Sequence, residues 1–351
     1  MRVGIVAANN IRYSPYIFFY TEILKKIDVE YELIIADRYG LKESFDSVVH
    51  VLPWDHRQKT IVNYLKYTSK VKSIIRKQRY DALIILTSVN AAFLGMWLKR
   101  HYKGRYIVDI RDYSHENIYP YYYLEKVAVQ NSLMNVISSR KFMDFLPKSE
   151  YSVCHNYGDR DIGAARIRCH KDQISIGYVG GLSYVDQCRK LMKLVAKDER
   201  FLFDFYGTST KEALVREAAE EIGCDRIVFH GAYTAQEKER ILDKVDILFN
   251  VYGSGVPLLD CALSNKLYDS LQRCKPILVS CGTFMEEMSG LLGFPIDLDH
   301  ETNLEGLWKW YQSLDWIALE RYADSMLRSI AKENLETQSL LCTRLQKLME
   351  E

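Results

Sequence analysis

Short apolar runs alternate with amphipathic stretches along the whole chain. In the first half, RVGIVAA (2–8), YELIIA (31–36), 48–52, ALIILT (82–87), RYIVDI (105–110) and LMNVIS (133–138) predict strands. Helical spacing predicts helices at 15–27, 58–79, 89–101, 120–130 and 139–146. Several strands are apolar on both faces, as in a parallel sheet covered by helices on each side. Ser14 before Pro15 predicts a capped start for the first helix. The pattern then restarts with ISIGYVGG (174–181), followed by strands at 201–206, 226–230, 245–250 and 276–280. Helices are expected between them at about 185–197, 210–222, 234–243 and 264–272, the third opened by a Thr234–Glu237 capping box. A tail over 303–349 reads as helical, with Trp308, Trp310 and Trp316 as apolar bulk.

This succession predicts an α/β fold of two tandem Rossmann-like, doubly wound domains facing a cleft, with a C-terminal helical tail. The expected boundaries are an N-terminal domain over 1–157, a polar linker over 158–172 with Gly158 and Gly163, a second domain over 173–315, and helices over 316–351 packing back on the first domain. Doubly wound sheets bind ligands at the carboxyl ends of their strands, so candidate residues are sought in the loops there.

Composition narrows the class. The chain has 351 residues, 48% hydrophobic and 26% charged. That excludes disorder, collagen-like repeats and a disulfide scaffold. The longest purely aliphatic run, Ala82 to Leu86, is far short of the ~20 residues of a membrane span. No separate apolar leader precedes the first strand, so no signal peptide is expected. Eight scattered cysteines form no C-x-x-C pair and read as reduced thiols of a cytoplasmic protein. The net charge of +1 hides an asymmetry: residues 1–170 carry 26 Lys/Arg against 17 Asp/Glu, and 171–351 carry 21 against 29. The first half is therefore the one suited to an anionic partner.

The loops of the second half hold the most informative residues. GYVGGLS (177–183) puts Gly180 and Gly181 before a helix, where backbone N–H groups approach a phosphate or simply make a tight turn. FDFYGTST (203–210) repeats the theme with Tyr206 and Gly207, and FHGAYT (229–234) with Gly231 and Tyr233. ALSNKLYDSLQRCKPILVS (262–280) is more specific. Ser264 and Asn265 are natural caps, and Lys266 falls in the first helical turn. A cation there is unfavourable against the helix dipole unless an anion binds beside it. Asp269, one turn on, is suited to hydroxyl groups. The plain alternative is a solvated lysine.

The succession GYVGGL, FDFYG, VFHGAY, VDILFNVYGSG and SNKLYDSLQRCKPIL resembles the nucleotide-sugar domain of GT-B glycosyltransferases, closest to the family-4-type enzymes of bacterial polysaccharide synthesis. IRYSPYIFFYTEILKK, IVDIRDYSHE and HNYGD of the first half resemble corresponding segments of that family. The resemblance implies a glycosyltransferase that moves a sugar from a UDP or GDP donor to a glycan or polyprenyl-diphosphate-linked acceptor, with retention. It implies phosphate or sugar contacts at Gly180 and Gly181 and base contacts around Gly231 to Tyr233. It further implies phosphate contacts at Ser264, Asn265, Lys266 and Leu267, and a ribose contact at Asp269. Two departures stand out: Cys261 occupies the place of an acid that the family often carries eight positions before Asp269. Gly181 and Gln187 fall where many members have an Arg and a Lys.

Asp112 and His115 (RDYSHEN) follow the strand 105–110 and suit orienting or deprotonating an acceptor hydroxyl, or form a capped loop with an exposed His. Asn9 and Asn10 after the first strand either touch the donor or stabilise a turn. YPYYY (119–123) lines an acceptor channel or packs. No Asp-x-Asp or His-x-x-x-His pattern appears, so neither a metal nor another cofactor is expected. Residues 57–79 hold Arg57, Lys59, Lys66, Lys70, Lys72, Arg76, Lys77 and Arg79, with interleaved apolar residues and no acid. Such a helix suits an anionic membrane surface, or it places its apolar face in the core. Rival functions are a sugar-nucleotide epimerase and a non-enzymatic polyanion binder. Nucleic acid is disfavoured by the acidic second half, and a nicotinamide cofactor by the absence of G-x-G-x-x-G after any strand.

Overall fold

A computed structural model describes residues 1–41, 43–58, 60–157 and 172–350. Lys59, Gly158, Gly163, Cys169 and all but the last residue of the expected linker lie outside the described residues. Two compact units emerge, Met1–Asn156 with Lys332–Glu351, and Tyr157–Ala331.

The first unit is built on seven strands: β1 (Arg2–Ala7), β2 (Glu30–Asp37), β3 (Val49–Pro53), β4 (Ala82–Leu86), β5 (Tyr106–Ile110), β6 (Met134–Ile137) and β7 (Ser152–Val153). Their order is β3-β2-β1-β4-β5-β6-β7, all parallel. Helices α1 (Ile17–Lys26), α2 (Thr60–Gln78), α3 (Ser88–His101) and α4 (Tyr119–Gln130) connect them. β1 is apolar on both faces because it is central: Ile5 lies opposite Leu33 on one side and Ile84 on the other. The strand order reverses between β1 and β4, which makes the carboxyl ends of these two strands the switch point of the sheet.

The second unit repeats this plan with β8 (Ile174–Val179), β9 (Phe201–Tyr206), β10 (Ile227–Gly231), β11 (Ile247–Asn250), β12 (Ile277–Ser280) and β13 (Gly293–Ile296). The order is β10-β9-β8-β11-β12-β13, again parallel, with its switch point between β8 and β11. Its helices are α5 (Val185–Val195), α6 (Glu212–Ile222), α7 (Lys238–Lys244), α8 (Pro257–Cys261), α9 (Asn265–Arg273), α10 (Phe284–Ser289) and α11 (Glu305–Gln312). The last helix, α12 (Trp316–Glu350), is shared. Leu319, Ala323, Leu327 and Ile330 pack with Leu267 and Leu271 of the second unit. Leu341 and Leu345 pack with Ile5 and Ile17 of the first. Polar contacts fix that second half: the His155 N–H donates to Asn334 Oδ1 at 2.7 Å, and Thr337 Oγ1 donates to the Val153 carbonyl at 2.6 Å. The compact units divide within α12, after Ala331.

Three local expectations change. α1 starts at Ile17, with Tyr16 as cap and no side-chain cap. A 3-10 turn over Ile11–Tyr13 runs directly into Ser14, whose carbonyl, rather than its hydroxyl, receives the Ile17 N–H. The helix expected over 139–146 is a 3-10 turn over Arg140–Asp144 that buries only Phe142. The capping box does form: Thr234 N–H donates to Glu237 Oε2 at 2.7 Å and Glu237 N–H to Thr234 Oγ1 at 3.4 Å. The helix proper then begins at Lys238.

Candidate active site

In the second unit the loops after β8, β9 and β11 and the start of α9 converge at the switch point. Gly207 is required by the contact between the two loops, and Gly180 by its φ of +133°. A Cβ at Gly207, whose φ is +121°, would sit 2.1 Å from the Gly180 carbonyl oxygen. Gly180 N–H donates to the Tyr206 carbonyl at 2.8 Å, and Gly207 N–H to the Gly231 carbonyl at 2.7 Å. Gly180, Gly181, Tyr206, Gly207 and Gly231 are thus brought together as one backbone edge. Tyr178 braces it: its hydroxyl donates to the Gly181 carbonyl at 3.0 Å and accepts the Ser183 N–H at 3.2 Å.

Lys266 reaches this edge. Its side chain is buried at 7% exposure, and a Cβ on Gly180 would lie 3.5 Å from its Nζ. The ammonium donates to the Tyr252 hydroxyl oxygen at 2.6 Å and stands 4.7 Å from the Tyr178 ring centre and 5.3 Å from that of Tyr252. Tyr252 in turn stacks on Tyr184 at 3.7 Å and 11°. Among the described residues no carboxylate pairs with Lys266. A buried cation in the first turn of α9, near the positive end of its dipole, is compensated here by aromatic faces and a phenol oxygen.

The other expected α9 residues differ in kind. Ser264 caps the helix, its Oγ accepting the Lys266 N–H at 3.3 Å, and its carbonyl accepts the Leu267 N–H at 2.9 Å. Asn265 is exposed. Leu267 is fully buried in the core on the inward face of α9. Asp269 is also buried, and its Oδ1 accepts from Lys238 Nζ at 2.7 Å. Tyr233 lies beside this pair: burial, and then the Asp269 charge, raise its hydroxyl. Tyr206 stacks on His230 at 4.1 Å and 5°, and His230 Nε2 pairs with Asp204 Oδ1 at 2.7 Å. Cys261, at the end of α8, is buried. Tyr178, Tyr184, Tyr252 and Lys238 were not among the residues expected from the sequence. In the sequence, Tyr252 was marked by its place in VDILFNVYGSG, directly before Gly253.

In the first unit, Asn10 is fully buried and spends both amide protons on the loop after β2, donating to Asp37 at 2.9 Å and Glu43 at 3.1 Å. Its oxygen accepts the Arg38 N–H at 2.8 Å. The side-chain amide of Asn10 is thus engaged by the loop after β2 through both its nitrogen and its oxygen. Asn9 is half-buried and accepts the Asn10 N–H at 2.9 Å. Asp112 and His115 are both exposed on the loop after β5. The surrounding protein displaces enough water to raise the Asp112 carboxyl to about 6, with Arg111 pulling the other way. The loop is anchored at its root by a buried pair: Arg111 Nε and Nη2 donate to Asp109 at 2.6 and 2.8 Å, and Tyr20 donates to the same carboxylate at 2.6 Å. Further along, Ser114 N–H donates to Glu116 Oε2 at 2.6 Å, Ser88 links Ser114 and Tyr121, and His115 meets the Tyr121 ring edge-on at 5.5 Å.

α2 carries two apolar stripes. Tyr67, Val71 and Ile75 enter the core, while Ile61 (53% exposed), Val62 and Leu65 (57%) face solvent beside Lys66, Lys70 and Lys77. No helix among the described residues is long and apolar enough to cross a membrane.

No protein-family model and no curated protein sequence matches the chain. Solved structures do. A sucrose-phosphate synthase from Thermosynechococcus elongatus superposes with a TM-score of 0.69 at 13% identity, covering 99% of each chain. The lipopolysaccharide outer core galactosyltransferase WaaB gives 0.67 at 12%, covering 96% of this chain and 99% of its own. Anabaena HepE, solved with UDP and glucose, gives 0.67 at 12%, with 96% and 98% covered. The fold is GT-B. It does not by itself choose a reaction, since a Listeria monocytogenes structure described as an epimerase of UDP-N-acetylglucosamine also matches, at 0.55 and 13%, with 93% and 90% covered.

Proposed function

We propose that this protein is a glycosyltransferase taking a sugar from a UDP- or GDP-linked donor to a glycan or polyprenyl-diphosphate-linked acceptor in cell-surface polysaccharide synthesis, with retention. The observation that carries the reading is Lys266, a buried ammonium beside open backbone at Gly180 and without a carboxylate partner among the described residues. Transfer breaks the bond between the anomeric carbon and the diphosphate and forms one to the acceptor oxygen. The charge that develops on the leaving diphosphate is met by Lys266 and by N–H dipoles, which are most effective where water is excluded. These groups supply the positive charge without a metal. Asp269, steadied by Lys238, serves the ribose, and the Gly231–Tyr233 edge the base. The HepE complex with UDP and glucose supports a nucleotide-sugar donor on this fold. Asp112 and His115 are assigned to the acceptor side, where one orients the hydroxyl and one receives its proton.

The solvent stripe of α2 favours work at the cytoplasmic face of a membrane. Its exposed apolar residues exceed what the core needs, and each lysine near an anionic surface contributes about 1 kcal/mol. Incubation with UDP- and GDP-sugars and undecaprenyl-linked or glycan acceptors tests the reading. Acceptor-dependent release of the nucleoside diphosphate supports it. Conversion of the donor to its epimer, with no release, replaces it with an epimerase.

A further inference from the structure

We propose that the Tyr252 hydroxyl is a second hydrogen-bond donor to the bound diphosphate, aimed by Lys266. The inference rests on the donor-site reading above and goes beyond it by naming a residue outside the expected set. Lys266 Nζ donates to the phenol oxygen at 2.6 Å. An oxygen that accepts this bond must turn its own proton elsewhere, and among the described residues that proton has no acceptor. The ring is not free to swing. It stacks on Tyr184 at 3.7 Å, and the N–H groups of Tyr252 and Gly253 both donate to Ser280 Oγ at 2.9 Å. Ser280 ends β12, so the Tyr252 loop is tied to the sheet rather than left loose. The phenol proton therefore lies beside the two remaining protons of an ammonium that itself stands next to Gly180. Adjacent donors of this kind match two oxygens of one phosphate, one by a charged and one by a neutral hydrogen bond.

The test is calorimetry with UDP, GDP and uridine on wild type and Tyr252→Phe. The substitution removes the oxygen and keeps the stacked ring. Tyr252→Phe should weaken whichever diphosphate binds by about tenfold, the scale of one hydrogen bond to a charged group, and leave uridine unchanged. Diphosphate binding within twofold of wild type overturns the proposal while leaving the donor site standing. Absence of UDP and GDP binding to folded wild type overturns both. Nitration of wild type with tetranitromethane, read residue by residue, gives a check that needs no variant. The tighter diphosphate should shield Tyr252 and uridine should not; equal nitration with either contradicts the proposal.

Discussion

Glu125 offers a quantitative check on the first unit. It sits in α4 with no exposed surface, and neither carboxyl oxygen has a hydrogen-bond partner among the described residues. Burial, and then the neighbouring Glu116 charge, raise its carboxyl from 4.5 to about 9. The folded protein therefore holds a proton at pH 7 that the unfolded chain releases. Because the folded-state value lies above the unfolded one, the contribution of Glu125 to stability is greatest below about pH 4.5 and falls as pH climbs towards 9. At about 1.36 kcal/mol per unit, the loss accumulated by pH 7 is roughly 3 kcal/mol. Glu125→Gln keeps the shape and removes the titration. Urea unfolding of both proteins between pH 5 and 9 should show the wild-type stability falling with pH relative to the variant. The variant should be ahead by about 3 kcal/mol at neutral pH if its amide is no worse buried than the protonated acid. Parallel pH dependences for the two proteins would refute the argument, because they would mean that Glu125 ionises with equal ease folded and unfolded.

Further expectations concern both units. Transfer rate should fall as pH drops through about 6, where the Asp112 carboxylate takes up its proton, and Asp112→Asn should lower kcat by roughly 100-fold and abolish that limb; an unchanged profile removes Asp112 from the chemistry. Arg111→Met leaves the Asp109 carboxylate buried and unpaired, so chemical denaturation should show a loss of roughly 3–5 kcal/mol, whereas a loss below 1 kcal/mol would contradict a buried, unrelieved pair. Replacing Ile61 and Leu65 together with Ser should reduce co-sedimentation with phosphatidylglycerol vesicles at least tenfold without changing the melting temperature; equal binding would assign the two side chains to no surface role.

The sequence was most legible where one physical rule dominated. Doubly apolar runs such as IVA in β1 and LII in β4 read as central strands, and the one restart of that pattern at 174–181 announces a second sheet. Lys266 stood out because a cation in a first helical turn opposes the dipole. Elements too short to show a period escaped: α8, α10, β7 and β13 have five, six, two and four residues. The site was only partly readable because its contacts are distant along the chain. Tyr252 lies 14 residues before Lys266, Lys238 lies 31 before Asp269, and the partners of Asn10 lie 27 and 33 residues beyond it. α2 stayed ambiguous because it carries two apolar stripes, and residue type alone does not say which of them meets the core.

The central claim is that Lys266 holds the anionic part of a nucleotide donor. Calorimetry and thermal unfolding with UDP and GDP, on wild type and Lys266→Ala, test it most directly. At 100 times its dissociation constant a bound diphosphate should stabilise wild type by about 2.7 kcal/mol. The account predicts that one of the two nucleotides does so and that Lys266→Ala, still folded, loses the effect. Equal binding by the variant, or no binding of either nucleotide to folded wild type, would contradict it.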